Sequence, residues 1–120
     1  MSKYVDGFVL PIAKENVEKY REMAQKAGEV WKEYGALDYY ECVGDDLEVE
    51  NMLSFKTIAG ATEDETVIFA WIVYESREQR DKVNEAVMSD PRLKECMEGH
   101  TPLFDFKRMA YGGFKTLVTI

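Results

Sequence analysis

The chain has 120 residues and a formal net charge of -8, with a mass of 13.9 kDa and a pI near 4.7, which suits one domain spanning 1–120 with a workable core and leaves no room for two. An acidic surface without a run of Lys and Arg repels phosphate backbones, so nucleic-acid binding is not expected. No apolar run approaches the roughly 20 residues that cross a bilayer, and the N-terminus lacks the layout of a signal peptide, so a cytoplasmic protein with no membrane role is expected.

Tyr4 to Ile12 is rich in Val, Phe, Leu and Tyr and reads as a strand that ends near Pro11. Lys14 to Tyr34 reads as a helix, because Val17, Tyr20, Ala24, Ala27, Trp31 and Tyr34 recur at steps of three and four and draw one stripe. That stripe is read as core against a sheet and not as a cofactor box. Gly35 supplies the stop. From Leu37 to Val43 the period changes to two, with Tyr39 and Glu41 on one face and Tyr40 and Cys42 on the other.

Residues 47–65 alternate at Val49, Asn51, Leu53 and Phe55 and are read as an excursion strand or hairpin arm. The acidic run Asp45, Asp46, Glu48 and Glu50 fits a solvated turn, since its spacing matches no calcium loop. Thr66 to Tyr74 is apolar with almost no alternation, the pattern of a strand covered on both faces. Ser76 with Gln79 makes a capping box that opens a helix running to about Ser89. Asp90-Pro91 then restarts a short helical turn. After a loop around His100 and Pro102, Phe106 to Ile120 reads as a strand broken by a bulge or bend at Gly112-Gly113.

The order strand, helix, strand, strand, helix, strand is that of the ferredoxin-like split βαβ fold, an α+β class with two helices on one face of a four-stranded antiparallel sheet. Two helices cover one face only, yet residues 66–74 are apolar on both. A second copy packed sheet to sheet therefore completes the expected structure, a homodimeric α+β barrel.

Cys42 and Cys96 are expected to be reduced thiols, and His100 a solvated loop residue. One His with two remote Cys gives no zinc spacing, and Gly7, Gly44, Gly112 and Gly113 give no phosphate loop. Neither metal nor cofactor is expected. Asp6 and Arg108 interrupt apolar strands that are neighbours in this topology. Two readings stay open: a structural Asp6–Arg108 ion pair, or a cavity lined by Asp6, Glu41 and Arg108 with Tyr39 and Trp71 as apolar walls around a small ligand.

Val5-Asp6-Gly7-Phe8, Gly35-Ala36-Leu37, Glu41-Cys42-Val43-Gly44-Asp45-Asp46, Trp71-Ile72-Val73-Tyr74 and Lys107-Arg108-Met109-Ala110-Tyr111-Gly112-Gly113-Phe114 resemble the YbaA-like family of small bacterial proteins. Ser76-Arg77, Arg80-Asp81, Val83-Asn84, Val87-Met88 and Asp90-Pro91-Arg92 extend the resemblance over nearly the whole chain. It implies the dimeric α+β barrel group, whose wider membership includes cofactor-independent monooxygenases, haem-degrading monooxygenases and isomerases. Haem-degrading members use a His on the helix after the third strand. Here that helix carries Arg77, Arg80, Asp81 and Lys82, so haem chemistry is not expected. The leading expectation is a homodimeric small-molecule-binding or accessory protein for an apolar or aromatic ligand. The competing one is a cofactor-independent monooxygenase or isomerase with Asp6 or Glu41 as base and Arg108 holding an anion. A third is a fold whose surface only recruits a protein partner.

Overall fold

A computed structural model describes residues 2–98 and 103–120. The strands are β1 (Tyr4–Ala13), β2 (Asp38–Val43), β3 (Glu65–Tyr74) and β4 (Ala110–Lys115). The helices are α1 (Val17–Tyr34), α2 (Phe55–Ala59), α3 (Arg77–Met88) and α4 (Pro91–Glu98). The sheet runs β2-β3-β1-β4, and all its pairings are antiparallel. This is the ferredoxin-like arrangement expected from the element order. The loop around His100 and Pro102 lies outside the described residues.

Local chemistry sets most of the boundaries. Gly35 ends α1 with φ of 121°, and its N–H donates to the carbonyls of Trp31 and Lys32, a backbone state that favours glycine. Ser76 caps α3, its hydroxyl accepting from the Gln79 N–H at 3.1 Å. Asp90 holds the start of α4, accepting from the Arg92 N–H at 2.8 Å.

Side chains alternate across the sheet. In β3, Ile68, Ala70, Ile72 and Tyr74 are buried beneath the helices, in two apolar clusters with Trp31, Val83 and Val87 at one end and Leu10, Tyr20 and Met23 at the other. Phe69 and Trp71 point to the opposite face. There Tyr40, Trp71, Phe69 and Phe55 form a row of rings with centroids 5.0, 5.4 and 5.8 Å apart. Trp71 is half-buried, while Tyr40, Phe69 and Phe114 are exposed.

Two expectations are corrected. Residues 47–65 form no excursion strand or hairpin arm, Glu65 alone belonging to β3: the Ser54 hydroxyl accepts from the Lys56 N–H, and Gly60 closes the five-residue α2 at φ 68°. The alternation at Val49, Asn51, Leu53 and Phe55 is broken at Asn51, whose φ of 63° lies outside the extended range. Instead α2 contacts β1 and β3, and Pro11, Ala59 and Val67 are buried. The last strand begins only at Ala110, because Asp105 caps a 3-10 turn over Phe106–Arg108. Gly112 and Gly113 make no bulge; they stay in register opposite Gly7 and Asp6. A Cβ at Gly113 would run into Tyr4 and Arg80, so close approach, not bending, requires glycine there.

Candidate functional site

Between the helices and the inner face of the sheet lies a cavity of about 580 Å³, walled by Phe8, Leu10, Met23, Trp31, Ile72 and other apolar side chains. Glu41 also lines it, placed there because odd positions of β2 face the helices. Its carboxylate accepts the Tyr20 hydroxyl on Oε1 at 2.8 Å and the Tyr39 hydroxyl on Oε2 at 2.6 Å. Burial pushes the Glu41 carboxyl above its ordinary range, against the two phenol hydrogen bonds that favour the ionised form. Burial, followed by the charge of Glu41, raises both tyrosines, which stay protonated donors.

Tyr39 is seated by an absence on α1. A Cβ built at Gly28 would stand 2.8 Å from the Tyr39 ring, so the helix and the edge strand close on that ring only around glycine. On the solvent side of the same contact, Arg21, Lys32, Asp38, Tyr39 and Glu41 border a groove of about 720 Å³.

A second polar group lies at the other end of the sheet. Asp6 is fully buried, with Oδ1 3.1 Å from Arg80 Nε. That approach is not aligned as a hydrogen bond, which leaves both atoms without an aligned partner. Asp6 Oδ2 accepts from Asn84 Nδ2 and from the Tyr111 hydroxyl, each at 3.2 Å. Asn84 Oδ1 in turn accepts the Trp31 indole N–H at 3.0 Å and the Tyr74 hydroxyl at 2.8 Å. One amide thus ties α1, β1, β3 and α3 together, and the pattern of donors fixes its orientation.

The expected grouping of Asp6, Glu41, Arg108, Tyr39 and Trp71 is therefore divided. Glu41 and Tyr39 share the cavity. Asp6 pairs with Arg80, not with Arg108, because Arg80 projects from α3 onto the inner face. Arg108 sits in the 3-10 turn and forms a two-pronged bridge with Glu65 at 2.9 Å for each bond. With the guanidinium beside it, the Glu65 carboxyl is held down at about 2. Trp71 lies on the opposite face of the sheet and lines no part of the cavity. Tyr20, Arg80 and Asn84 were not singled out as site residues. Tyr20 was visible only as part of the buried stripe of α1. Arg80 and Asn84 are four apart on the helix that carries Val83 and Val87, a spacing that puts two polar groups on one side of a core-facing helix.

Both cysteines are free thiols, with Cys96 buried and donating to the Met23 carbonyl at 3.2 Å. Among the described residues no group of three or more His, Cys, Asp or Glu is placed to hold a metal ion, and no helix is long and apolar enough to cross a membrane. What the cavity offers chemically is one proton-exchanging carboxyl in apolar surroundings.

The family described as "Protein of unknown function (DUF1428)" matches residues 3–106. The "Uncharacterized protein YbaA" of Escherichia coli K12 is 46% identical over 116 residues, 97% of each chain. A NIPSNAP-like domain protein from Burkholderia xenovorans superposes with a TM-score of 0.62 at 12% identity, over 96% of this chain and 85% of its own. A protein from an uncultured marine organism, described as a dimeric ferredoxin-like protein, superposes with a TM-score of 0.54 at 9% identity, over 100% of this chain and 98% of its own. At such identities the solved structures share the fold.

Proposed function

This chain belongs to the DUF1428 family, and from that premise we propose a homodimeric, single-domain protein that holds a small, largely apolar molecule over Glu41. The observation that carries the reading is the cavity itself: about 580 Å³ of mostly apolar wall with one carboxylate, Glu41, held by two hydroxyls. Sites for small molecules have this composition, an apolar enclosure with few polar groups that fix orientation. Among the candidates, Glu41 and Tyr39 contact the ligand. Asp6 is structural, since Arg80, Asn84 and Tyr111 already surround it.

The second copy belongs on the outer sheet face, where Tyr40, Phe69 and Phe114 are exposed beside Trp71. Exposed aromatic surface of this kind marks an association face, and the marine ferredoxin-like neighbour is described as dimeric. We place the protein in the cytoplasm on the strength of its two free thiols.

The test uses Trp31, which lines the cavity. In a Trp71→Phe variant Trp31 is the one remaining indole, and its emission reports on occupancy. Titration with a panel of apolar aromatic molecules should shift that emission and raise the melting temperature for some members. Silence in both readouts across the panel refutes ligand binding. Light scattering should give twice 13.9 kDa, and Trp71→Glu should halve it; a monomeric parent protein refutes the dimer.

A cofactor-independent enzyme is the second reading, favoured by the raised proton affinity of Glu41, which suits a general base. In that case Glu41→Gln abolishes turnover of a bound ligand while binding persists. Arg108 has no part in it, being held by Glu65 beside Pro11 and Asp105 in a separate groove.

A further inference from the structure

We propose that the ligand of the helix–sheet cavity is an amine: an apolar, aromatic-sized body bearing one ammonium group that pairs with Glu41. This rests on the cavity being a binding site, as argued above, and adds the chemical class of its occupant.

The first observation is a charge without a counter-ion. Glu41 receives hydrogen bonds from Tyr20 and Tyr39 only, both neutral phenols. Among the described residues lining the cavity there is no Lys or Arg. Every other buried or half-buried carboxylate of the described chain that forms a close ion pair does so with an arginine: Asp6 with Arg80, Glu65 with Arg108 and Asp90 with Arg92. A carboxylate in apolar surroundings that lacks such a partner is costly to keep ionised, and a cation delivered by a ligand removes that cost.

The second observation is unused accepting capacity. A carboxylate has about four lone-pair sites, and the phenols fill one on each oxygen, leaving two for N–H donors. Both tyrosines donate to Glu41, and their hydrogen bonds favour its accepting form. A ligand with its own carboxylate or phosphate meets repulsion there, and a bare carbonyl meets no donor.

The third observation is the wall. Trp31 and Tyr39 stand with ring centroids 6.0 Å apart, and Tyr20 and Phe104 meet edge to face at 5.7 Å; all four line the cavity. Ring faces around a carboxylate attract an ammonium group by their quadrupoles as well as by its hydrogen bonds. The methionines Met23, Met88, Met97 and Met109 supply the rest of the lining, a surface that adapts to the shape of an apolar body.

The experiment compares three probes of one shape by calorimetry: 2-phenylethylamine, 2-phenylethanol and 3-phenylpropanoate. At pH about 8.5 an alkylamine is still charged. The amine should bind about tenfold or more tighter than the alcohol, the worth of one charge-assisted hydrogen bond, and the carboxylate should not bind. Glu41→Gln should remove the advantage of the amine over the alcohol. Equal binding of amine and alcohol, tighter binding of the carboxylate, or an amine preference that survives Glu41→Gln overturns the amine assignment while leaving the cavity reading intact. Silence of all three probes and of their naphthyl homologues overturns the cavity reading, and the amine with it. The wild-type series decides the matter even if the variant folds poorly.

Discussion

Replacing Asp6 by Ala strips a fully buried charge from beneath Arg80, whose side chain is itself only 17% exposed. Removing one member of such a pair costs about 3 to 5 kcal/mol, because the survivor is left uncompensated. Arg80 retains Asp81 at 2.9 Å and the Tyr4 hydroxyl at 3.2 Å, which favours the lower end. The Asn84 amide, by contrast, loses the acceptor of its N–H at a part-buried position. A loss of about 3 kcal/mol follows. Unfolding entropy near 60 °C is about 2.1 cal/mol/K per residue, so for 120 residues the midpoint should fall by about 12 °C. Calorimetry at fixed protein concentration measures it, and urea titration gives the free energy independently. The double variant Asp6→Leu with Arg80→Met should recover more than half of the loss, since two apolar groups leave no orphaned charge. A loss under about 1 kcal/mol for Asp6→Ala, or no recovery in the double variant, refutes the assignment of Asp6 as a structural anchor.

Asn84→Asp sets a second carboxylate against Asp6 and removes a donor; about 2 to 4 kcal/mol should be lost at pH 7.5 by urea titration, and an unchanged midpoint contradicts the amide's role. The Glu65 carboxyl lies at about 2 in the folded protein against an ordinary 4.5, so its stabilisation is present above the higher value and drains away as pH falls toward the lower. The melting-point gap between wild type and Glu65→Gln should close over that interval; a gap that stays constant contradicts the Arg108 bridge. Glu41 has the opposite sign. Its folded value is raised, so the folded protein binds the extra proton and loses stability relative to Glu41→Gln as pH climbs from 4.5 through the folded value. Melting curves of the two proteins should diverge upward in pH, and parallel curves count against burial of the carboxyl.

The periodic segments were legible because burial leaves its mark locally. The stripe from Tyr20 to Trp31, the alternation of Tyr39 and Glu41, and the Ser76–Gln79 cap each depend on neighbours within a few residues. The pairing of Asp6 was not legible, because Arg80 and Arg108 are both reachable in the topology, and the choice turns on the 3-10 turn that Asp105 caps. Trp71 was placed by composition on the wrong side of the sheet: in a strand apolar on both faces, parity alone does not say which face meets the helices. Residues 47–65 alternate as a strand would, yet Asn51 takes a left-handed backbone and Ser54 opens a helix, and alternation shows neither.

The glycine at position 28 makes the division between inside and outside one aromatic ring thick. On one side of Tyr39 is the solvent groove, on the other the apolar cavity, and Glu41 borders both. The Tyr39 ring is fixed between the two by its hydroxyl on Glu41 and by the bare backbone of α1 beside it. A methyl group at position 28 would press on the ring from outside, so the geometry of the carboxylate answers to a residue that never touches it.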